Sequence, residues 1–271
     1  MLSKIRQFLG KRFFFLSRIG YYQAPRLPLA NFPDGMSVTR LADTGVTVVD
    51  NFCTRDEAEY FIRSRGGEIS RSTIVENEKE LKFHAGRTSS DAFIRLTNNE
   101  ENFQNLVFRA ASLFGLPVSY CERVSITRYG EGEYYKSHLD YDNSFHADRM
   151  YTCLIYLNDL GSDQGGGTWF SRLNLLASPK LGRAVCWVNT DPDGTRHPET
   201  LHAALPPKGE GAEKWVIQLW FRGYPWSKRT PTPVARPAPV GKPLSAADEL
   251  PAGVSLGDDI DEATVYGDSS V

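Results

Sequence analysis

Apolar residues change their spacing along this chain, and the changes divide it. Near the start, Leu2, Ile5, Leu9, Phe13, Leu16 and Ile19 recur at helical intervals. Pro25, Pro28 and Pro33 then mark an extended connector. The stretch VTVVDNF, Val46 to Phe52, alternates as a strand does. Thr54 reads as an N-cap with Glu57 three residues on, a capping box that opens a helix through about Arg65. A second helix is predicted over 102–114. There Phe103, Leu106, Val107, Ala110 and Leu113 share a face, and Gly115 stops the run.

From Ser119 onward the pattern becomes short β segments separated by Gly, Pro and Asp turns. Strands are predicted at Glu122–Tyr129, Tyr134–Leu139, Met150–Asn158, Gly167–Phe170, Arg183–Val188, Leu201–Ala204 and Lys214–Phe221. Strands this short and close imply a sandwich or jelly roll, mainly β with supporting α-helices. After Trp226 comes SKRTPTPVARPAPVGKP, then an acidic, weakly hydrophobic stretch. Such a tail cannot bury enough surface to offset its ordering entropy. Three regions follow: a basic amphipathic segment and connector over 1–33, a folded domain over 34–227, and a disordered tail over 228–271.

Composition narrows the classes. The 271 residues carry a net charge of -2, which gives no reason to expect nucleic acid as partner. The four cysteines form no C-x-x-C pair, so buried thiols in a reducing compartment are expected and a zinc site is not. No apolar run is long enough for a transmembrane helix. The expected location is cytoplasmic. The six basic residues before Asp34 keep two alternatives open: weak membrane-surface contact through residues 1–20, or organelle targeting.

The candidate chemistry begins at His138-Leu139-Asp140. On a strand, positions i and i+2 face the same way, so an imidazole and a carboxylate converge. His202, in TLHA, is the best third ligand from another strand. Two histidines and a carboxylate on one face of an octahedral metal leave three positions open, the pattern of non-haem Fe(II) oxygenases. Lys214 sits on the next predicted strand among Trp215, Val216, Ile217, Leu219, Trp220 and Phe221. An unpaired ammonium there would be costly. A 2-oxo acid co-substrate with a distal carboxylate would give it a partner.

Beyond these residues the chain resembles a family. RSTIVENE, GRTSSDAFI, RVSITRYGEGEYYKSHLDY, RMYTCLIYLND, GGGTWF, GRAVCWVNTDPDGTRHPETLHA and EKWVIQLWFRG are similar to segments of the prolyl 4-hydroxylases, within the Fe(II)/2-oxoglutarate dioxygenases. The likeness runs from about Val46 to Phe221. It implies a double-stranded β-helix (jelly roll) dioxygenase core, with iron on His138, Asp140 and His202. The 2-oxoglutarate C5 carboxylate would lie on Lys214 and Tyr129, with Thr168 lining the same pocket. It places Tyr135, Arg149, Glu122 and Trp220 around a substrate proline, and Arg87-Thr88-Ser89-Ser90 beside a loop that closes over the peptide. Each has a plainer alternative: strand aromatics for Tyr129, Tyr135 and Trp220, an exposed ion pair for Glu122 and Arg149, a strand former in Thr168. His146, His197 and His84 are not expected to be ligands. The chain departs from the family in a longer gap before Lys214 (KGEGAE), a short gap between Asp140 and Arg149, and Ser137 where proline is common.

The resemblance implies hydroxylation of a peptidyl proline with Fe(II), O2 and 2-oxoglutarate, giving succinate and CO2, with ascorbate as reductant. The proline-containing peptide or protein is the expected partner. Asp140 speaks against a halogenase, where a small residue leaves room for halide. The rivals are the same chemistry on a free amino acid, another side chain or a nucleobase; a non-catalytic scaffold, whose signature would be a lost ligand; and a cupin-like binding protein or metal hydrolase.

Overall fold

The computed structural model describes residues 35–41, 44–76, 80–82, 84–94, 100–141, 149–190, 194 and 196–228. The basic N-terminal segment, the connector, His146 and the proline-rich and acidic tail beyond 228 lie outside them. In chain order the elements are β1 (Ser37–Leu41), β2 (Val46–Asp50), α1 (Arg55–Arg65), β3 (Ser70–Arg71), β4 (Ile74–Glu76), β5 (Glu80–Lys82) and β6 (Ser90–Ile94). Then come α2 (Glu101–Phe114), β7 (Val124–Tyr129), β8 (Tyr135–His138), β9 (Arg149–Tyr156), β10 (Thr168–Phe170), β11 (Leu175–Ala177), β12 (Ala184–Val188), β13 (His202–Ala204) and β14 (Lys214–Arg222). Among the described residues, no helix is long and apolar enough to cross a membrane.

An eight-stranded sheet runs β1-β2-β12-β9-β14-β7-β6-β3, and a four-stranded sheet runs β11-β10-β13-β8. All their pairings are antiparallel. This is the expected mainly-β jelly roll with helical support. The central strand β14 shows what holds it together. Its odd-numbered residues Trp215, Ile217, Leu219 and Phe221 belong to the core that also holds Phe61 of α1 and Phe103, Leu106, Val107 and Phe114 of α2. Its even-numbered residues Lys214, Val216 and Gln218 face a pocket. A second core, with Leu154, Tyr156, Phe170, Val185, Trp187 and Val216, packs between the two sheets. Period-two alternation thus gives one face of the large sheet to the helices and the other to the site.

The helices form where their signals lie. Thr54 Oγ1 accepts from the Glu57 amide at 3.2 Å, and Glu57 Oε2 accepts from the Thr54 amide at 2.8 Å. Arg109 of α2 donates to Glu57 at 2.7 Å and ties the two helices together. Gly115 ends α2 at φ 65, a left-handed conformation that glycine adopts without a Cβ clash. β2 stops two residues earlier than VTVVDNF suggests, because Asn51 also turns left-handed at φ 59. One expectation fails in detail: the strand predicted over 134–139 ends at His138, and Asp140 lies in the turn that follows. Strand alternation therefore does not bring Asp140 to His138; the turn does.

Candidate active site

His138 ends β8 and His202 begins β13, and the two residues are direct partners across that antiparallel pair. Their rings lie 4.3 Å apart between centroids. Asp140 Oδ1 is 3.9 Å from His138 Nε2 and 4.0 Å from His202 Nε2. Potential ligand atoms of all three lie within 4.8 Å of one another, the only such group of His, Cys, Asp or Glu among the described residues. Each imidazole is oriented from behind. His138 Nδ1 donates to the Lys136 carbonyl at 2.8 Å, and His202 Nδ1 to the Thr200 carbonyl at 2.9 Å. A carbonyl only accepts, so Nδ1 carries the proton in both rings and each Nε2 keeps its lone pair.

His202 Nε2 is buried with no hydrogen-bond partner. An orphaned lone pair of this kind costs free energy unless something binds it. Burial, then the neighbouring His202, pushes the His138 pKa down to about 3, so it is neutral as a ligand must be. Burial pushes Asp140 up, but His202, His138, Arg149 and the Thr152 hydroxyl outweigh it and hold the carboxyl below its ordinary range. Two imidazoles and one carboxylate on one side of a point fit a divalent metal of the Fe(II) class.

Lys214 opens the second half of the site. It is 1% exposed, and burial lowers its pKa to about 7. Among the described residues its hydrogen-bond partner is the Leu205 carbonyl at 3.1 Å, and its Nζ lies 4.1 Å from the centre of the Tyr129 ring. Tyr129 is its direct cross-strand partner. One pocket is lined by Tyr129, Tyr135, His138, Thr168, His202 and Lys214 together with Leu154, Ala204, Val216 and Gln218. The two histidines and the buried ammonium therefore open into the same space. Thr168 donates to Tyr156 Oη at 2.7 Å, because that hydroxyl gives its own proton to the Ala177 carbonyl at 2.9 Å. The GGGTWF glycines keep this corner tight: at Gly166, φ 71, a Cβ would lie 2.4 Å from a Leu160 methyl.

Glu122, Arg149 and Trp220 sit together but are not exposed. Arg149 meets Glu122 through Nε at 2.9 Å and Nη2 at 2.8 Å, a two-pronged ion pair. Arg222, which the sequence did not point to, meets Glu122 from the other side at 2.8 Å. All three residues are buried. Arg149 also stacks 4.0 Å over the Trp220 ring and reaches the Asp140 carbonyl at 3.5 Å. The exposed-pair alternative is thus excluded: this is a buried Arg–Glu–Arg cluster beside the metal ligands, where loss of one member costs much more than at a surface. Glu122→Gln should lower stability by about 1.5–3 kcal/mol, the worth of a hydrogen bond to a charged group. Chemical denaturation would show this as a lower midpoint at unchanged slope.

Tyr135 stacks on His138 at 3.7 Å between centroids, with the Arg87 guanidinium 5.0 Å above its ring. Arg87 is itself fixed by Asp91 at 2.5 Å and Ser89 at 3.1 Å. His84 accepts the Gly86 amide and is not in the triad; His197 is buried but apart from it. Besides Arg222, sequence reasoning missed Thr152, Asn189 and Tyr156. Thr152, Leu154 and Tyr156 alternate on one face of β9, and Leu154 lines the pocket. A lone threonine on that otherwise apolar face was a signal.

Residues 124–222 match the family model described as the 2OG-Fe(II) oxygenase superfamily. Prolyl 4-hydroxylase 5 of Arabidopsis thaliana is 28% identical over 200 residues, 64% of this chain and 67% of the relative. Prolyl 4-hydroxylase subunit alpha-1 of Gallus gallus is 34% identical over 121 residues, 41% of this chain and 23% of that one. A viral collagen prolyl hydroxylase of Paramecium bursaria Chlorella virus 1, solved with 2OG, has the same fold. Its TM-score is 0.53 at 24% identity, covering 66% of this chain and 97% of the other. Over residues 124–222 the chain thus matches the 2OG-Fe(II) oxygenase superfamily, and over 64% of its length it is similar to a prolyl 4-hydroxylase.

Proposed function

We propose that this enzyme hydroxylates a peptidyl proline with Fe(II), 2-oxoglutarate and O2, releasing succinate and CO2. One observation carries the reading: His138 and His202, with its orphaned nitrogen, share one pocket with the buried Lys214, and Asp140 lies against both histidines. His138, Asp140 and His202 hold iron. Bound there, iron supplies oxygen activation coupled to decarboxylation of the 2-oxo acid. Lys214 and Tyr129 receive the far carboxylate of 2-oxoglutarate, and Thr168 closes that end. The low dielectric strengthens the ammonium–carboxylate attraction and excludes water from the reacting atoms. Ascorbate is the proposed reductant for turnover without substrate.

The choice of proline rests on the relatives, which carry the prolyl 4-hydroxylase name, and on the shape of the open side. Tyr135 offers a ring at the mouth of the pocket. Arg149, with Nε and Nη2 on Glu122 and Nη1 on the Asp140 carbonyl, is held beside the triad, and Trp220 backs it. Mass spectrometry of peptide panels incubated with enzyme, Fe(II) and 2-oxoglutarate should show one oxygen added at proline, with succinate formed in step. Oxygen found only on free amino acids or on other side chains would replace this substrate class.

A further inference from the structure

We infer that Thr152, itself held by Asn189, is a positioning residue that makes Asp140 a one-oxygen ligand. This rests on the triad being the metal site. Thr152 Oγ1 lies 2.6 Å from Asp140 Oδ2, and Asn189 Nδ2 lies 2.8 Å from Thr152 Oγ1. Thr152 is 0% exposed, Asn189 1% and Asp140 4%.

The direction of both bonds follows from the chemistry. A carboxylate accepts only, so the Thr152 hydroxyl must donate its one proton to Oδ2. Its oxygen then accepts, so Asn189 must turn its amide nitrogen toward it. The cost of that orientation is visible: Asn189 Oδ1 is buried without a partner. The three residues come from different places: Asp140 from the turn after β8, Thr152 from β9, and Asn189 from just past β12. β9 and β12 are paired neighbours, which sets the Asn189–Thr152 distance.

With Oδ2 engaged by a short hydroxyl bond, only Oδ1 faces His138 Nε2 and His202 Nε2. Without Thr152's proton the carboxylate can rotate and offer both oxygens. A two-oxygen Asp140 would occupy a fourth position on the metal, one of the three that co-substrate and oxygen need. Outer partners of metal ligands act by this kind of orientation.

The test uses the full-length apoenzyme titrated anaerobically with Fe(II) by calorimetry, and with Co(II) followed by its visible spectrum. Neither readout needs 2-oxoglutarate or peptide. Thr152→Val keeps the shape and removes the proton; Thr152→Ser keeps the proton and removes the methyl. Thr152→Val should shift Fe(II) affinity by about 10–100-fold and change the Co(II) spectrum, since outer partners typically count for that much. Thr152→Ser should stay near the parent in both. Asn189→Ala should weaken binding in the parent yet add nothing in a Thr152→Val background. Parent-like binding and spectrum in Thr152→Val overturn the inference. So does Thr152→Ser matching Thr152→Val, which would assign the effect to packing. If Thr152→Val does not fold, the single Asn189→Ala variant decides: unchanged Fe(II) affinity there overturns the relay. A His202→Ala control separates the two levels, because unchanged Fe(II) affinity in it would remove the metal site itself.

Discussion

His202→Ala should abolish turnover and Fe(II) binding while the chain keeps its β-rich fold. His202 is 2% exposed, its Nδ1 is committed to the Thr200 carbonyl, and its Nε2 has no hydrogen-bond partner among the described residues. Its position opposite His138 is set by the β8–β13 pairing, so no nearby side chain can take its place. Two ligands then remain. The loss should exceed the about 10–100-fold that outer-sphere substitutions cost. The ring also packs against Trp187 at 4.7 Å and Phe170 at 5.7 Å. Some stability is therefore lost with it, and far-ultraviolet circular dichroism must accompany the assay. His197→Ala is the matched control, being similarly buried but outside the triad; it should keep Fe(II) affinity. Succinate formation at the parent rate in His202→Ala would end the assignment.

Lys214→Ala should raise the 2-oxoglutarate KM by about two to three and a half orders of magnitude. Removing one partner of a buried ion pair costs about 3–5 kcal/mol, and each 1.4 kcal/mol is about tenfold. The pH dependence gives a second check. Burial sets the ligand-free Lys214 pKa at about 7, against an ordinary 10.5. Between those values the unfolded chain binds this proton and the folded one does not. The group's contribution to ligand-free stability therefore rises with pH across that interval. Co-substrate binding has the opposite sign: it needs the ammonium, so affinity should fall as pH rises above about 7. Lys214→Arg keeps its charge at every working pH and should lose that fall, even where the longer side chain fits less well. A Lys214→Ala enzyme with the parent KM would move the role to another residue. A KM independent of pH up to 9 in the parent would show that the ammonium is not what binds.

What was legible in the sequence was what depends on neighbours along the chain. The Thr54–Glu57 capping box and Gly115 are local devices, and both helices form between them. The long strands β7, β9, β12 and β14 carry their apolar pattern within a single segment. Short strands such as β3, β5 and β11 carry too few residues to show a period, so only pairing with a neighbour defines them. His138, Asp140, His202 and Lys214 stood out because imidazole, carboxylate and ammonium on buried strands need a chemical reason. The partners that orient them did not. Arg222 joins Glu122, Thr152 joins Asp140, and Asn189 joins Thr152 across gaps of 100, 12 and 37 residues. These meetings are set by strand register and by one turn. Register is a property of two strands at once, and a one-residue slip would send Thr152 to the opposite face. The chain alone determined which groups can bind iron and an anionic co-substrate. Only the packing of the two sheets decided which oxygen of Asp140 lies toward the two histidines, and that Glu122 and Arg149 are a buried cluster where the sequence also allowed an exposed pair.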